Sequence, residues 1–492
     1  MQLSGPRLPQ RPRPDSTPAR IAATFTGERK GRETNGHADA SGPPTLSPPA
    51  TVPPMRLDRV RTVFAGACTA LLLVATPSHA QPHPRAADAA AQARRLVSAG
   101  LAALRAGDTV GAHRNLVKAT ELWPTQPAYQ WTRAQLAAAA GDTAAAAEGV
   151  TNFAALGASR SLTSDPFLAK MATNAQFGPA LIALMANAAP RVRSSVRATL
   201  ADSTLWPEGV AWDARGDRFF VGSVRHRTVY VHDARGTRAL FAPARADIGA
   251  VLGVALDPDG VHLWATTCGL PQMNGYVAAD SGIAALLKLR ITDGTVVQRW
   301  DLPPSAAGHT LGDVTVTPTG DVFMSDSREP VLYRLRRGRS VMEAYRDPEF
   351  RSLQGVAPAP DGQHVYVADY SHGLLRVDLA TNAVIRLSDA RSSTSLGVDG
   401  LVWFEGSLIG VQNGITPPRI VRFHLDESGT SITRQEVLDR NTAIADEPTI
   451  GVIAGRSYVY VANSQWDKHD DHGKRVPGSV LAPTVLLSVP LK

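Results

Sequence analysis

The chain has 492 residues, a formal net charge of +7, 43% hydrophobic residues and two cysteines. That length exceeds one ordinary core, so two or more domains are expected, and two cysteines exclude a disulfide-built scaffold. The charge does not point to nucleic acid: residues 1–80 hold ten Arg and Lys against five Asp and Glu, which leaves only +2 for the rest.

Residues 1–54 are dense in Pro, Ser, Gly and Arg ("GPRLPQRPRPDSTPAR", "SGPPTLSPPATVPP"). They carry too little apolar surface for a core and are expected to be disordered. Residues 55–80, "MRLDRVRTVFAGACTALLLVATPSHA", have the parts of a secretory signal. Arg56, Arg59 and Arg61 form a basic start, Val63 to Ala75 an apolar stretch, and Ser78-His79-Ala80 a cleavage site. The stretch is short for a membrane span. The expectation is a periplasmic or secreted protein with no stable span after cleavage, translated from Met55. The alternative is an uncleaved anchor behind a genuine tail. Cys68 leaves with this segment, and Cys268 remains as a small buried apolar residue near a strand end.

Residues 81–190 are rich in Ala and Leu at helical spacing. "AGDTVGAHRNLVKATEL" at Ala106 is followed 34 residues later by "AGDTAAAAEGVTNFAAL" at Ala140, the tetratricopeptide period. Gly100, Ala112, Leu116, Ala119 and Pro124 take that repeat's small, large-apolar and terminal-proline positions in the first unit, whereas Phe153 departs from it in the second. "DPFLAKMATNAQFGPALIAL" resembles a closing helix pair. A small all-α, tetratricopeptide-like domain is expected, with residues 84–188 contacting a protein partner or packing on the rest of the chain. A plain Ala-rich bundle is the alternative.

From 195 to 492 the period changes to short alternating strands with Gly, Pro and Asp turns. One pattern returns six times: Glu208-Gly209-Val210, Leu252-Gly253-Val254, Gly312-Asp313-Val314, Gln354-Gly355-Val356, Asp399-Gly400-Leu401 and Ile450-Gly451-Val452. The spacings are 44, 60, 42, 45 and 51 residues, and each copy is followed by a turn and a second apolar strand. Six in-phase copies predict a mostly β chain folded as a six-bladed β-propeller, which two stacked sandwiches would not explain. "SSVRATLADS" at 194–203 is positioned to complete the last blade.

Equal phase puts the first residues of the six copies on one ring at the channel mouth. That ring reads Glu208, Leu252, Gly312, Gln354, Asp399, Ile450, with Asp313 one step further along. Two carboxylates held together repel unless a proton or a cation lies between them. Glu208, Asp399 and the Gln354 amide are therefore the candidate metal ligands. Oxygen donors favour Ca2+; Mg2+, Mn2+ and Zn2+ are the other candidates, and no His/Cys set points to zinc. A solvated mouth with two incidental acids is the competing reading.

"PEGVAWD", "GDVTVTPTGDVFMSDS", "LQGVAPAPDGQHVYVADY" and "DGLVW" resemble blade motifs of the senescence-marker-protein / gluconolactonase / luciferin-regenerating-enzyme superfamily, over roughly residues 205–465. The resemblance implies metal-dependent lactone hydrolysis, with Glu208 and Asp399 as metal ligands. Gly312 and Gln354 stand where that family carries asparagines. On this reading the substrate is a small lactone or ester. Asp399 or Glu208 is the catalytic base, and Asp313 and Gln354 contact the substrate. His309, three residues before Gly312, is expected to overhang the mouth and contact the substrate; a plain loop histidine is the alternative. The cluster "WDKHDDHGKR" at 466–475 reads as a solvated insertion rather than a metal site. A non-catalytic scaffold built from propeller and helices is the rival function.

Overall fold

The computed structural model describes residues 86–245 and 247–492. The expectations for residues 1–54 and 55–80, Cys68 included, lie outside the described residues.

Among the described residues five α-helices come first: α1 Ala86–Arg105, α2 Thr109–Leu122, α3 Pro127–Ala139, α4 Thr143–Ala155 and α5 Gly178–Ala188. The repeated "AGDT" explains two of the turns. Gly107 and Gly141 take φ of +83° and +80°, a conformation that disfavours a side chain. The next residue caps the following helix: Asp108 accepts from Gly111 N at 2.7 Å, and Asp142 from Ala145 N at 3.0 Å. α1 packs on α2 and α3 on α4. Gly100 lets α1 approach Leu116, where a Cβ would stand 2.7 Å from its Cδ2. Residues 165–184 are not a helix pair. Asp165 accepts from Phe167 N and Leu168 N and also from the Trp131 and Gln135 side chains, which bends the chain into short 3-10 turns before α5.

The remainder is a six-bladed propeller of four-stranded antiparallel sheets. β1 is Ser195–Leu200. Blade 1 holds β2 Pro207–Asp213, β3 Arg218–Ser223, β4 Thr228–Asp233 and β5 Gly236–Ala239. Blade 2 holds β6 Ala250–Leu256, β7 His262–Cys268, β8 Ala284–Arg290 and β9 Val296–Asp301. Blade 3 holds β10 Leu311–Val316, β11 Val322–Asp326, β12 Val331–Leu335 and β13 Glu343–Tyr345. Blade 4 holds β14 Leu353–Pro358, β15 His364–Asp369, β16 Gly373–Asp378 and β17 Val384–Arg386. Blade 5 holds β18 Leu401–Phe404, β19 Ser407–Gln412, β20 Arg419–Leu425 and β21 Ile432–Arg440. Blade 6 holds β22 Gly451–Ala454, β23 Ser457–Val461 and β24 Thr484–Pro490, with β1 as its outer strand. Ser195 pairs with Ser488 and Leu200 with Thr484, so the two ends of the propeller segment meet in one sheet.

Apolar side chains fill the seams between blades. Phe220, Val231, Val251 and Leu263 join blades 1 and 2, and Ile409, Ile420, Tyr458 and Leu487 join blades 5 and 6. Each such side chain contributes about 1.5–3 kcal/mol on burial.

The helices seat on blades 4 and 5. Leu401 pairs with Gly410, so the loop after Gln412 lies at the end of the blade where the inner strand begins. Contacts there come from Ser159 N to Thr416 O at 2.7 Å and from Ile415, which joins the helical core. Arg94 and Thr125 add bonds to His372 and Asp389, both at 2.9 Å. The buried Arg419 donates to Leu156 O, Gly157 O and Gln412 Oε1 at 3.2, 2.9 and 2.6 Å, closing the carbonyl end of α4.

Candidate active-site mouth

Four inner strands carry the same irregularity. Between Pro207 and Val210, Val251 and Val254, Leu311 and Val314, and Leu353 and Val356, one extra residue is inserted against the neighbouring strand. Such a bulge re-aims side chains and sharpens the local twist. It falls on the ring positions expected from sequence, Glu208, Leu252, Gly312 and Gln354 among them. The next position is glycine in five blades because the inner strands approach closely there. A Cβ on Gly355 would meet Asp399 O at 2.5 Å, and its own N–H donates to that oxygen at 2.8 Å. Blade 3 breaks the rule with Asp313. Its carboxylate accepts from Val314 N at 2.8 Å and reaches Val356 N in blade 4 at 3.4 Å.

Glu208 and Asp399 lie close enough to repel. Burial, then the Asp399 charge, raises the Glu208 carboxyl well above its ordinary value. Burial lifts Asp399 to about 6 and Asp313 to about 7, with the Asp399 charge adding to the latter. Glu208 Oε1 accepts from Trp466 Nε1 at 3.2 Å, whereas Oε2 is enclosed with no donor. Asp399 Oδ2 accepts from Asn413 Nδ2 at 2.8 Å. The other end of that amide, Asn413 Oδ1, is likewise enclosed and without a donor.

The remaining expected site residues fall elsewhere. Gln354 keeps its ring place, but its Nε2 lies 3.4 Å from Ser352 Oγ and its Oε1 leans into the space beside Gly312. His309 does not overhang the mouth. It is 1% exposed, with Nδ1 on Asp326 Oδ2 at 2.6 Å and Nε2 on Pro303 O at 2.9 Å, so neither nitrogen is open to a substrate. Asp313 is 7% exposed and lines a cavity of about 470 Å³ along the channel, walled by Val210, Val254, Val356 and Val452. Glu208 and Asp399 are not on that wall.

Three mouth residues escaped sequence reasoning. Trp466 opens the 466–475 insertion and covers Glu208. His469 of the same insertion stacks on Trp206 at 4.0 Å between ring centres, and Asp470 caps its turn by accepting from His472 N and Lys474 N. Glu447 stands near enough to raise Glu208 further, and its own carboxyl is raised first by burial. Asn413 lay in a plain "VQNG" turn signal. The insertion's "W" was visible, but nothing in strand periodicity says how far a loop reaches.

Among the described residues no three His, Cys, Asp or Glu side chains are disposed to hold a metal. The oxygen set nevertheless fits a hard cation. Two enclosed acceptors lack donors, a second carboxylate stands beside them, and no Lys or Arg neutralises the group at hydrogen-bond range.

No family model and no curated protein matches this chain. Solved structures resemble it at low identity. A gluconolactonase from Xanthomonas campestris is 17% identical, covering 60% of this chain and 89% of its own, with a TM-score of 0.41. A PQQ-bound aldose sugar dehydrogenase from Streptomyces coelicolor is 14% identical, covering 61% and 99%, with a TM-score of 0.41. A luciferin-regenerating enzyme is 13% identical, covering 61% and 95%, again with a TM-score of 0.41.

Proposed function

We propose that the protein is a divalent-metal-dependent hydrolase of small lactones or related esters, with Ca2+ as the resident ion. The observation that carries this reading is the pair of enclosed, donor-less oxygens, Glu208 Oε2 and Asn413 Oδ1, beside mutually repelling carboxylates. A buried acceptor left without a partner costs about 1–3 kcal/mol, and a cation is the partner that an acceptor-only group calls for. Glu208 and Asp399 would hold it. When bound, the ion supplies Lewis acidity toward a carbonyl oxygen.

The chain's own residues do the rest. Trp466 holds Glu208 through Oε1. Asn413 fixes the rotation of Asp399. Asp399 accepts the proton of the attacking water. Asp313, held by backbone N–H groups, supports the floor of the mouth.

The helices, proposed as tetratricopeptide-like hairpins, serve here to pack on blades 4 and 5. The rival scaffold function draws no support from the Arg419 contacts, because side chains committed to that docking are closed to a partner. Export is proposed from residues 55–80 alone.

The test is calorimetric Ca2+ titration of residues 81–492, with a lactone panel assayed with and without chelator. Glu208→Ala and Asp399→Ala are each expected to lose ion binding and turnover. Full turnover of both variants, or of the wild-type chain in chelator, would overturn the reading.

A further inference from the structure

We infer that Asn413 is itself an oxygen donor to the cation proposed at Glu208 and Asp399, in the place that ring order gives to Gln354. The inference rests on the cation reading above and adds a ligand from outside the inner strands.

The argument begins with the orientation of the amide. Asn413 Nδ2 has two acceptors, Asp399 Oδ2 at 2.8 Å and Pro448 O at 2.9 Å. One amide nitrogen carries two hydrogens, one for each. Turning the amide over would set Oδ1 against both acceptors and lose both bonds, so the assignment follows from the partners. Oδ1 is thereby left out of both bonds, and it is enclosed without a donor. The same segment reaches Glu208: Thr449, next to Pro448, donates from Oγ1 to Glu208 O at 3.1 Å. A continuous arc therefore runs from Asp399 through Asn413, Pro448 and Thr449 to Glu208, from blade 5 past blade 6 to blade 1.

Gln354 is differently employed. Its nitrogen approaches Ser352 Oγ, and its oxygen would stand 3.6 Å from a Cβ at Gly312, on the blade 3 side. An Asn at 413 thus does two things. Its nitrogen aims Asp399, and its oxygen joins Glu208 Oε2 as an uncharged donor of the kind that calcium accepts alongside carboxylates.

The experiment uses residues 81–492 and Tb3+, a hard ion that accepts oxygen ligands, with emission excited through the nearby Trp466. Asn413→Ala is expected to weaken Tb3+ binding about tenfold or more, the loss typical of disturbing a ligand or its support. Emission lifetimes in H2O and D2O, which count bound waters, are expected to show one more water on the ion in Asn413→Ala than in wild type. A merely structural role would not add that water. Gln354→Ala is expected to change affinity less than twofold or so. A crystal of the wild-type chain soaked in Tb3+ keeps the test open if the variant folds poorly: the ion should lie about 2.3–2.6 Å from Asn413 Oδ1. Unchanged affinity and water count in Asn413→Ala, or an ion remote from Oδ1, overturn this inference while the cation reading stands. A wild-type chain that binds neither Tb3+ nor Ca2+ overturns both.

Discussion

Trp466 Nε1 donates to Glu208 Oε1 at 3.2 Å, joining residues from opposite ends of the propeller segment. The indole N–H donates and cannot accept, so the bond favours the charged carboxylate. Trp466→Phe keeps the ring and removes the donor. Hydrogen bonds to charged groups contribute about 1.5–3 kcal/mol, so ion affinity should fall roughly tenfold or more. Calorimetry on the variant checks it, and an affinity equal to wild type would mean that the contact does not prepare Glu208.

Asp313 predicts a pH dependence with a definite sign. Burial pushes its carboxyl to about 7 in the folded protein, against an ordinary 3.8. The folded state therefore holds this proton more tightly than the unfolded chain does. The resulting stabilisation is complete below about pH 4 and is lost as pH rises through 7. Asp313→Asn cannot titrate, so relative to wild type it should gain on the order of 2–3 kcal/mol between pH 5 and pH 8. Urea unfolding in chelator at both pH values measures this; parallel wild-type and variant curves would refute it.

Arg419 makes two of its three hydrogen bonds where α4 ends and the third to Gln412 in its own blade. Arg419→Leu keeps bulk but leaves Leu156 O, Gly157 O and Gln412 Oε1 without it. The expected cost is about 3 kcal/mol, concentrated at the docking surface. Hydrogen exchange over residues 127–157 should quicken while the blade 2 and blade 3 strands keep their protection. Uniform exchange in variant and wild type would show that the helices are held by other contacts.

Gly355→Ala places a methyl group against Leu401 N and Asp399 O, both backbone atoms that cannot swing aside. Overpacking of this kind costs about 1–3 kcal/mol or more. Because Gly355 N also anchors Asp399 O, ion binding should suffer beyond the stability loss. A variant with wild-type melting and wild-type Ca2+ affinity would show that blades 4 and 5 can separate freely at this point.

The propeller was legible because strand period and turn spacing repeat in phase: "PEGV", "LGVA" and "QGVA" carry the same bulge-and-glycine step, and "DGLV" keeps the glycine without the bulge. The proximity of Glu208 and Asp399 followed from that phase, as did the closure by residues 194–203. Loop-borne contacts were not legible. Trp466 and Asn413 follow second strands, and where a loop folds back is decided by tertiary packing rather than by local pattern. His309 shows the converse: three residues from Gly312 along the chain, it is taken up by Asp326 because a buried carboxylate there needs a donor. Gln354 occupies the expected ring position, yet its longer side chain finds Ser352 before it finds Asp399.

β1 has no sheet to join until β24 exists, since among the described residues β24 is its sole strand neighbour and blade 6 borrows strands from both ends of the segment. A chain emerging from a ribosome must therefore wait for residues 484–490 before the circle can lock. Until then the helices and five blades form an open arc with two raw flanks, and chaperone protection during synthesis matters most in that interval.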